Sequence, residues 1–450
     1  MTYKAPPQGR YDKRLNTTNY DHPQETNLLD LHRAMEYNQL GQPVIRTTSG
    51  AAVTANDAFG RLRISTPFTL HDNFNRYYID YTKSSNNTVG GGTITFDANA
   101  AIIDMNVGTA SGDSAIRESN RVFAYQPAKS LQVMRSFVFA PAQANLTQRT
   151  GYFDKDNGIF LELADSTLSW VIRSNSSGTI SEDRITQSNW NIDPLDGTGR
   201  STKVLDISKA QIMWTDIEWL GVGTVRTGFV LNGEYIHCHS FHHANLINTT
   251  YMTTACLPVR QEITNTGPTL SNSTLKQICT SIVSEGGYEL QGRPHSVGHQ
   301  LSSPYQLSTP NVLYPVLSIR LRPDRLNAIV VPKNFSIAVT ASATYQYFIA
   351  VGGVTTGGTW TNFGVNSSVQ YNLTGTSISF AGTQFQGNVE TGYIAASNQT
   401  SVTPSLAPVP FFYQLDRNTF TANATEFTVC VKSTGNNLDI FASINWEEIT

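Results

Sequence analysis

A histidine-rich stretch is the densest group of side chains in this chain that could do chemistry. Ile236-His-Cys-His-Ser-Phe-His-His243 holds four of the nine histidines. Neighbouring residues of a strand point to opposite faces, so neither His237 nor His239 can activate Cys238 as a nucleophile. His237 and His239 share a face of a regular strand, where two imidazoles can reach one metal ion at about 2.0–2.1 Å. We assign no metal ligand, because partly buried histidines bonded to main-chain carbonyls would give the same pattern.

A pair of carboxylates follows on a neighbouring stretch. Trp214-Thr-Asp-Ile-Glu-Trp219 puts Asp216 and Glu218 on one face of a predicted strand, beside tryptophans. Two carboxylates about 5–7 Å apart beside aromatic rings suit a retaining glycosidase. The solvent-exposed face of any amphipathic strand has the same pattern, so we assign no catalytic residue and expect no enzyme.

An acidic loop is the third candidate. Phe153-Asp-Lys-Asp-Asn-Gly158 resembles half of a calcium loop, but its glycine comes one position early and the later oxygen ligands are missing. Asn157-Gly158 between two apolar runs predicts a hairpin turn instead. The chain has no phosphate-binding glycine loop, nucleophile elbow or Cys-x-x-Cys pair, and we expect no cofactor.

The elements that must position these residues are strands. Runs rich in Val, Ile, Thr, Tyr, Phe and Trp alternate with period two, among them Arg121–Tyr125, Leu131–Phe139, Gln211–Trp219 and Phe335–Ala350. Many short strands without interleaved helices predict a mostly β chain of antiparallel β-sandwich or jelly-roll-like domains. We add an extended N-terminal arm and one short helix, which starts at Asn27 and stops before Gly41.

The domain boundaries follow from the breaks in this alternation. Residues 1–50 are predicted to hold the arm and the short helix, and residues 51–290 one or more central β domains. Residues 291–311 carry turn formers without alternation and are expected to be a linker or long loop. A C-terminal β domain is predicted over residues 312–450.

The composition excludes several classes of partner. Charged residues are 14% of the chain and the net charge is −3, so we expect neither nucleic-acid binding nor membrane insertion. Thr, Ser and Asn supply 52, 39 and 35 residues, which indicates a hydrogen-bonding surface rather than a charged one. The start has no apolar core of a secretory signal, and we expect the four cysteines to be reduced and buried, as in a cytosolic chain.

Two longer stretches resemble a known family. The first runs from Asn56-Asp-Ala-Phe-Gly-Arg-Leu-Arg-Ile-Ser65 through Pro67-Phe-Thr-Leu70 to Asn75-Arg-Tyr77. The second joins Asp216–Leu220, Gly228–Gly233, the histidine stretch and Tyr251–Pro258, and Glu36–Asn38 and Gly41–Ile45 fit the same pattern. Together they resemble virion structural proteins of tailed bacteriophages, in particular those of marine T4-like cyanophages.

The resemblance implies a particle component that assembles in the host cytoplasm and has no enzyme chemistry. We expect a tail-associated role in a fibre, baseplate or adsorption apparatus, with a capsid decoration or head fibre as the alternative. A tail-borne glycan depolymerase that uses Asp216 and Glu218 is a further alternative. The expected partners are other virion proteins, further copies of the chain in a homo-oligomer, with a trimer favoured, and a host surface glycan or receptor.

Overall fold

The computed structural model describes residues 66–289, 292–380, 388–396, 400–402 and 414–449, together with residues 35–37 and 43–45. The last two segments form an antiparallel pair, β1 (Met35–Tyr37) and β2 (Pro43–Ile45). The predicted helix from Asn27 to Gly41 lies mostly outside the described residues, and its described part is wrong because Met35 belongs to a strand. The arm residues 1–24 and the motif at Asn56–Ser65 also lie outside them.

The first large region contains strands of five to twelve residues. In chain order they are β3 (Phe68–Phe74), β4 (Ser84–Val89), β5 (Thr93–Asp97), β6 (Ile102–Val107), β7 (Ser114–Ser119), β8 (Leu131–Val138), β9 (Leu146–Phe153), β10 (Gly158–Ala164), β11 (Thr167–Ser174), β12 (Ser181–Thr186), β13 (Gln211–Ile217), β14 (Val225–Leu231), β15 (Glu234–Phe241), β16 (Val259–Asn265) and β17 (Ser273–Ser284). A single 3-10 turn, Gln187–Asn189, is the helical element of the described residues. None of their helices is long and apolar enough to cross a membrane.

The second large region follows with strands of two to twelve residues. They are β18 (Arg293–Gly298), β19 (Tyr305–Leu307), β20 (Tyr314–Leu321), β21 (Ile329–Val339), β22 (Ala343–Val351), β23 (Val354–Thr356), β24 (Thr361–Asn362), β25 (Val369–Asn372), β26 (Ser377–Ser379), β27 (Asn388–Ala396), β28 (Thr400–Val402), β29 (Arg417–Asn418), β30 (Asn423–Ala424), β31 (Phe427–Ser433) and β32 (Leu438–Ile449).

Two antiparallel sheets form a sandwich in the first region. The seven-stranded sheet has the order β12-β11-β10-β9-β16-β7-β4, and the eight-stranded sheet has the order β15-β14-β13-β8-β17-β6-β5, with β3 also paired to β17. Both sheets contribute to one apolar core, in which Trp170 and Phe229 lie 5.9 Å apart between ring centroids. On β8, buried and half-buried residues alternate along the whole strand, as the period-two pattern requires.

A second sandwich holds the C-terminal region. Its five-stranded sheet has the order β18-β32-β21-β28, with β19 also paired to β32, and its six-stranded sheet has the order β24-β25-β20-β31-β22-β27. Residues 291–311, for which a linker or long loop is expected, contain β18 and β19, which both pair with β32. β18 shows no apolar alternation in the sequence. It is an edge strand, and none of its residues is fully buried.

The two sandwiches share a small apolar contact and a hydrogen-bonded one. Val122 and Ala124 of the first pack with Ile329 and Val331 of the second. Arg417, at the start of β29, is almost fully buried and donates to the Ser119 carbonyl at 3.0 Å. The prediction of a mostly β chain built from sandwich domains is thus confirmed, and the sheets fix which side chains share a surface.

Candidate functional site: an open trough on the eight-stranded sheet

Pairing in the eight-stranded sheet brings two rows of side chains together on its outer face. Residues directly opposite one another on antiparallel neighbours lie on the same face of a sheet. The rows cross β3, β17, β8 and β13, which are consecutive neighbours. The first row is Asp72, Ser281, Met134 and Trp214, and the second is Phe74, Cys279, Ser136 and Ile212.

These rows form an open trough with a volume of about 330 Å³. Its lining residues are Asp72, Asn73, Phe74, Met134, Arg135, Ser136, Ile212, Cys279, Thr280 and Ser281, and we call this group the trough. Small side chains make its floor, while Phe74 rises on the β3 side with 59% of its surface exposed. The volume is at the lower end of the range of ligand sites, about 300–1,000 Å³.

Two aromatic rings lie beside the trough, next to its lining residue Met134. Trp214 lies over Gly228, where an added Cβ would come within 2.8 Å of the indole ring. Glycine is therefore required at this point of β14 by the close approach of the ring. Tyr235 of β15 lies against Trp214 at 6.0 Å between centroids, and its hydroxyl donates to the Met134 sulfur at 3.5 Å.

The carboxylates predicted from the sequence separate at the end of this face. Asp216 lies on β13, where it accepts a hydrogen bond from Ser130 Oγ at 2.9 Å and forms an ion pair with Arg226. Glu218 lies beyond the end of β13 and is exposed. The expected strand face shared by Asp216 and Glu218 is therefore wrong, because the strand ends at Ile217 before it reaches the second carboxylate.

A carboxylate that the sequence did not single out lies near Asp216 instead. The Glu285 main-chain nitrogen donates to the Ser130 carbonyl at 2.9 Å. Burial raises the pKa of the Glu285 carboxyl, the neighbouring Asp216 charge raises it further, and Arg226 opposes both. No spacing in the sequence could have linked Glu285 to Asp216, which are joined only by the pairing of β17, β8 and β13.

A β-bulge separates the two histidines that were expected to share a face. His237 is opposite Gly228, whereas His239 is opposite Thr227, and the register shifts between these two neighbours on β14. Because Thr227 and Gly228 point to opposite faces, their partners do as well. The extra residue of the bulge thus puts the two imidazoles on opposite faces, and the expectation that they share a face is wrong.

Each histidine has its own structural partners. His237 is on the outer face, with its ring 5.7 Å from Trp214 and its Nε2 2.9 Å from Ser240 Oγ. His239 is buried, accepts from the Asn191 nitrogen at Nδ1 and lies 4.4 Å from the Phe241 ring. Burial lowers the pKa of His239 to about 4, so its ring is neutral at pH 7. Within the described residues, no group of three or more His, Cys, Asp or Glu side chains could hold a metal ion.

The cysteines differ more in exposure than the sequence suggested. All four are free, and Cys238 and Cys430 are buried, which raises the pKa of both thiols. Cys256 is half-buried, and Cys279 is exposed on the floor of the trough. The expectation that all four are buried is wrong for Cys279, because the bulge at Ile278 turns it to the outer face.

The acidic loop is a hairpin, as Asn157-Gly158 predicts. It connects β9 to β10, and Asp154 Oδ1 accepts hydrogen bonds from the main-chain nitrogens of Asp156 and Asn157 at 2.8 and 2.7 Å. The carboxylate that a calcium ion would need therefore closes the turn. Gly158 has φ +142°, and an added Cβ would collide with Phe153.

The outer face of the seven-stranded sheet carries alternating arginines and glutamates instead of a trough. We call the ionic ladder the set Arg184, Glu162, Arg149, Glu262, Arg260 and Glu118 of this sheet, together with Arg417 of β29, which pairs with Glu118. Its central pairs, Arg149 with Glu162 and Glu262, both measure 2.6 Å. Burial opposes ionisation of Glu262, but Arg260 and Arg149 outweigh it and hold its pKa below the usual value. The signal for it in the sequence was the alternation of Arg260, Glu262 and Thr264 on β16, whereas the same face of β9 and β10 also carries Phe153 and Phe160.

Comparison with known proteins gives no family. No family model matches the chain, and no curated protein matches it. Among solved structures, a Shewanella oneidensis protein of unknown function has 10% identity and a TM-score of 0.32, with 61% of this chain and 99% of that one covered. A Bacillus licheniformis beta-glucanase has 9% identity and a TM-score of 0.30, with 49% and 99% covered. The carbohydrate recognition domain of Emp47p has 8% identity and a TM-score of 0.30, with 48% and 95% covered. No inference about function follows from likenesses this weak.

Proposed function

We propose that this chain is a non-enzymatic structural component of a tailed-phage virion that acts by assembly and by binding a surface. The observation that carries the proposal is the open trough, whose side chains come from four neighbouring strands of one sheet. A site of this form presents a fixed surface without enclosing a reacting group. We assign the protein to the tail, since a surface-binding face suits a fibre, baseplate or adsorption apparatus.

The resembling stretches of sequence support the same proposal by their position. The motif that continues through Pro67–Leu70 forms β3, which carries Phe74. The second stretch forms the end of β13, the β14–β15 hairpin and the histidine cluster. The strands formed by these described parts, β3 and β13 to β15, belong to the eight-stranded sheet and lie towards the two sides of the trough. The pattern that resembles phage virion proteins thus lies around one surface, which supports a virion role for that surface.

The arrangement of carboxylates supports a binding role over a hydrolytic one. Asp216 is held by Arg226 and Ser130, and Glu218 lies outside the strand. A retaining glycosidase needs two carboxyl groups about 5–5.5 Å apart across the scissile bond, one of them free to attack. An Asp216 carboxylate neutralised by a guanidinium is a poor nucleophile.

Immunogold labelling of intact particles tests the location. Antibody against the purified chain is expected to label the tail, and mass spectrometry of the same particles should detect the chain. Label spread over the head would replace the tail assignment by a capsid decoration or head fibre. Absence of the chain from purified particles would contradict the virion role itself.

Two further measurements test the remaining parts of the proposal. Light scattering of the purified protein is expected to give a homo-oligomer, with a trimer favoured, and a stable monomer would contradict this part. Incubation with host envelope polysaccharide is expected to release no oligosaccharide. Release that Asp216→Asn abolishes, and that Asp104→Asn leaves unchanged, would identify an enzyme.

A further inference from the structure

Two exposed aromatic rings flank the trough. Phe74 and Tyr235 flank it with 59% and 57% of their surfaces exposed. Phe74 lines the trough, and Tyr235 reaches its edge through the contact of its hydroxyl with Met134. Clustered exposed rings mark binding surfaces, because a protein without a partner would lose stability or solubility by leaving them in water. The ligand of this surface therefore has faces that pack on aromatic rings.

The floor of the trough restricts the shape of that ligand. Ser136, Cys279 and Ser281 lie side by side between the aromatic sides. From β3 to β13 there are three inter-strand spacings, or about 14 Å at about 4.8 Å each. Ser136 Oγ accepts from the Cys279 nitrogen at 3.0 Å, which leaves its own hydroxyl hydrogen available to a ligand. A single narrow chain with hydroxyl groups fits this width and these donors.

The charges at the trough restrict the chemistry further. Asp72 is the acidic residue of the lining, and the Lys83 ammonium lies 3.8 Å from its carboxylate. The guanidinium of Arg135 points into the sandwich, where Nη1 donates to the Gly151 and Arg260 carbonyls at 2.7 and 2.8 Å. With one compensated charge at its rim, the trough has little field to attract an anionic or cationic polymer.

We infer that the trough binds an uncharged glycan chain. Sugar rings stack through their C–H faces on Phe74 and Tyr235, and their hydroxyl groups bond Ser136, Ser281 and Asp72. A second protein copy is a poorer occupant, because a stable interface buries about 800 Å² per partner and the two exposed rings would bury about 150–250 Å² each. The inference names the ligand class of the surface-binding role proposed above and rests on that role.

Isothermal titration of the purified full-length chain tests the inference. The probes are neutral gluco-, galacto- and manno-oligosaccharides of four to six sugars, together with the neutral polysaccharide fraction of the host envelope. Binding is expected for at least one probe, and Phe74→Ala and Tyr235→Ala should each weaken it about tenfold or more. The matched control is Tyr393→Ala, which removes a similarly exposed ring on β27 of the second sandwich and should leave affinity unchanged.

Protection of Cys279 gives a second readout at the site itself. Because its thiol lies on the floor, a bound glycan should slow alkylation of Cys279 in the wild type but not in Phe74→Ala. Absence of binding to every probe, or equal affinity in both trough variants and the wild type, would overturn the inference. A change of oligomeric state on Phe74→Ala would also overturn it, since the trough would then hold a second copy. The virion role would survive any of these results, because it is tested on whole particles.

Discussion

The two outer faces of the first sandwich treat their aromatic rings differently: one face covers them and the other leaves them exposed. On the seven-stranded sheet, Phe153 and Phe160 are fully buried although they point away from the core. Guanidinium groups cover them, with Arg173 5.0 Å above Phe160 and Arg260 5.6 Å above Phe153. On the eight-stranded sheet, small floor residues leave Phe74 and Tyr235 uncovered.

The difference shows how charge decides whether an aromatic face is structural or free to bind. Arginine side chains are long enough to lie across rings and to bond carboxylates at the same time. Each glutamate of the ionic ladder is held by two arginines, so the layer closes over the rings beneath it. Serines on the other sheet are too short for this, and its rings remain in water.

The largest expected effect comes from opening the ladder at Glu118. Its carboxylate is fully buried and bonds Arg260 Nη1 at 2.8 Å, Arg417 Nη2 at 3.3 Å and Thr419 Oγ1 at 2.7 Å. Glu118→Gln removes the carboxylate that pairs with buried Arg417 and one of the two that pair with Arg260, which should lower the free energy of unfolding by about 3–5 kcal/mol. Urea unfolding followed by tryptophan fluorescence measures the loss.

A surface pair supplies the control for this variant. Asp104 and Lys276 are 3.1 Å apart but partly exposed on the eight-stranded sheet. Asp104→Asn should cost no more than about 1 kcal/mol, because water screens and replaces the interaction. Equal losses in the two variants would mean that the ladder contributes no more than ordinary surface ion pairs.

Acid should separate the two sheets of the first sandwich by the groups that titrate on each. His71 on β3 is half-buried with its Nε2 enclosed beside the Phe123 ring, and desolvation, followed by Lys83, Arg121 and Arg135, lowers its pKa to about 3. Unfolding then takes up a proton between about pH 3 and 6.5, so stability falls as the pH falls through this range. The expected loss from pH 7 to pH 4 is about 3 kcal/mol.

The ladder titrates in a lower range. Burial opposes ionisation of Glu162 and Glu262, but their arginines hold both pKa values below the usual 4.5, and the stabilisation persists until the pH falls below that value. At pH 5, the main-chain amides of β3 should therefore lose protection from hydrogen exchange, while those of β16 should keep it. His71→Leu should flatten the pH dependence of the free energy of unfolding. An unchanged slope in that variant would assign the acid sensitivity to other groups.

A smaller effect is expected from the glycine beneath Trp214. An added Cβ at Gly228 would lie 2.0 Å from the Ile236 carbonyl oxygen and 2.8 Å from the indole ring. Gly228→Ala should cost about 1–3 kcal/mol through overpacking and should move Trp214 on the side of the trough. Urea unfolding gives the cost, and a shift in native tryptophan fluorescence reports the ring. Gly233→Ala, a turn position with no atom within 4 Å, controls for the added methyl group but adds the strain of φ +81°.

The sequence predicts the strands well where one face is buried and the ends carry turn formers. Leu131–Phe139 differs from β8 by one residue, because Leu131, Val133 and Phe137 recur at every second position apart from Arg135. Phe335–Ala350 was expected as one strand, yet it divides into β21 and β22 at Thr340, where neither Gly nor Pro marks the turn. Arg121–Tyr125 was expected as a strand and pairs in neither sheet of the first sandwich.

The trough could not be predicted in the same way. It joins residues from β3 to β17, about two hundred positions apart, and depends on which strands become neighbours. Local spacing pointed to His237 and His239, but one bulge reversed the face of the second ring. Side-chain types within a strand can be read from the sequence, whereas contacts across four strands require the register.

The smallest effect on stability is expected where the effect on binding should be largest. Phe74→Ala and Tyr235→Ala remove rings that are more than half exposed, so each should change the free energy of unfolding by no more than about 0.5 kcal/mol. Phe160→Ala, under the ladder, should cost about 3–5 kcal/mol for a ring of the same size. Urea unfolding of the three variants under one condition measures these losses in the free energy of unfolding. A large loss for Phe74→Ala would make that ring part of the packing of β3, and the contrast between a closed and an open face would fail at its central residue.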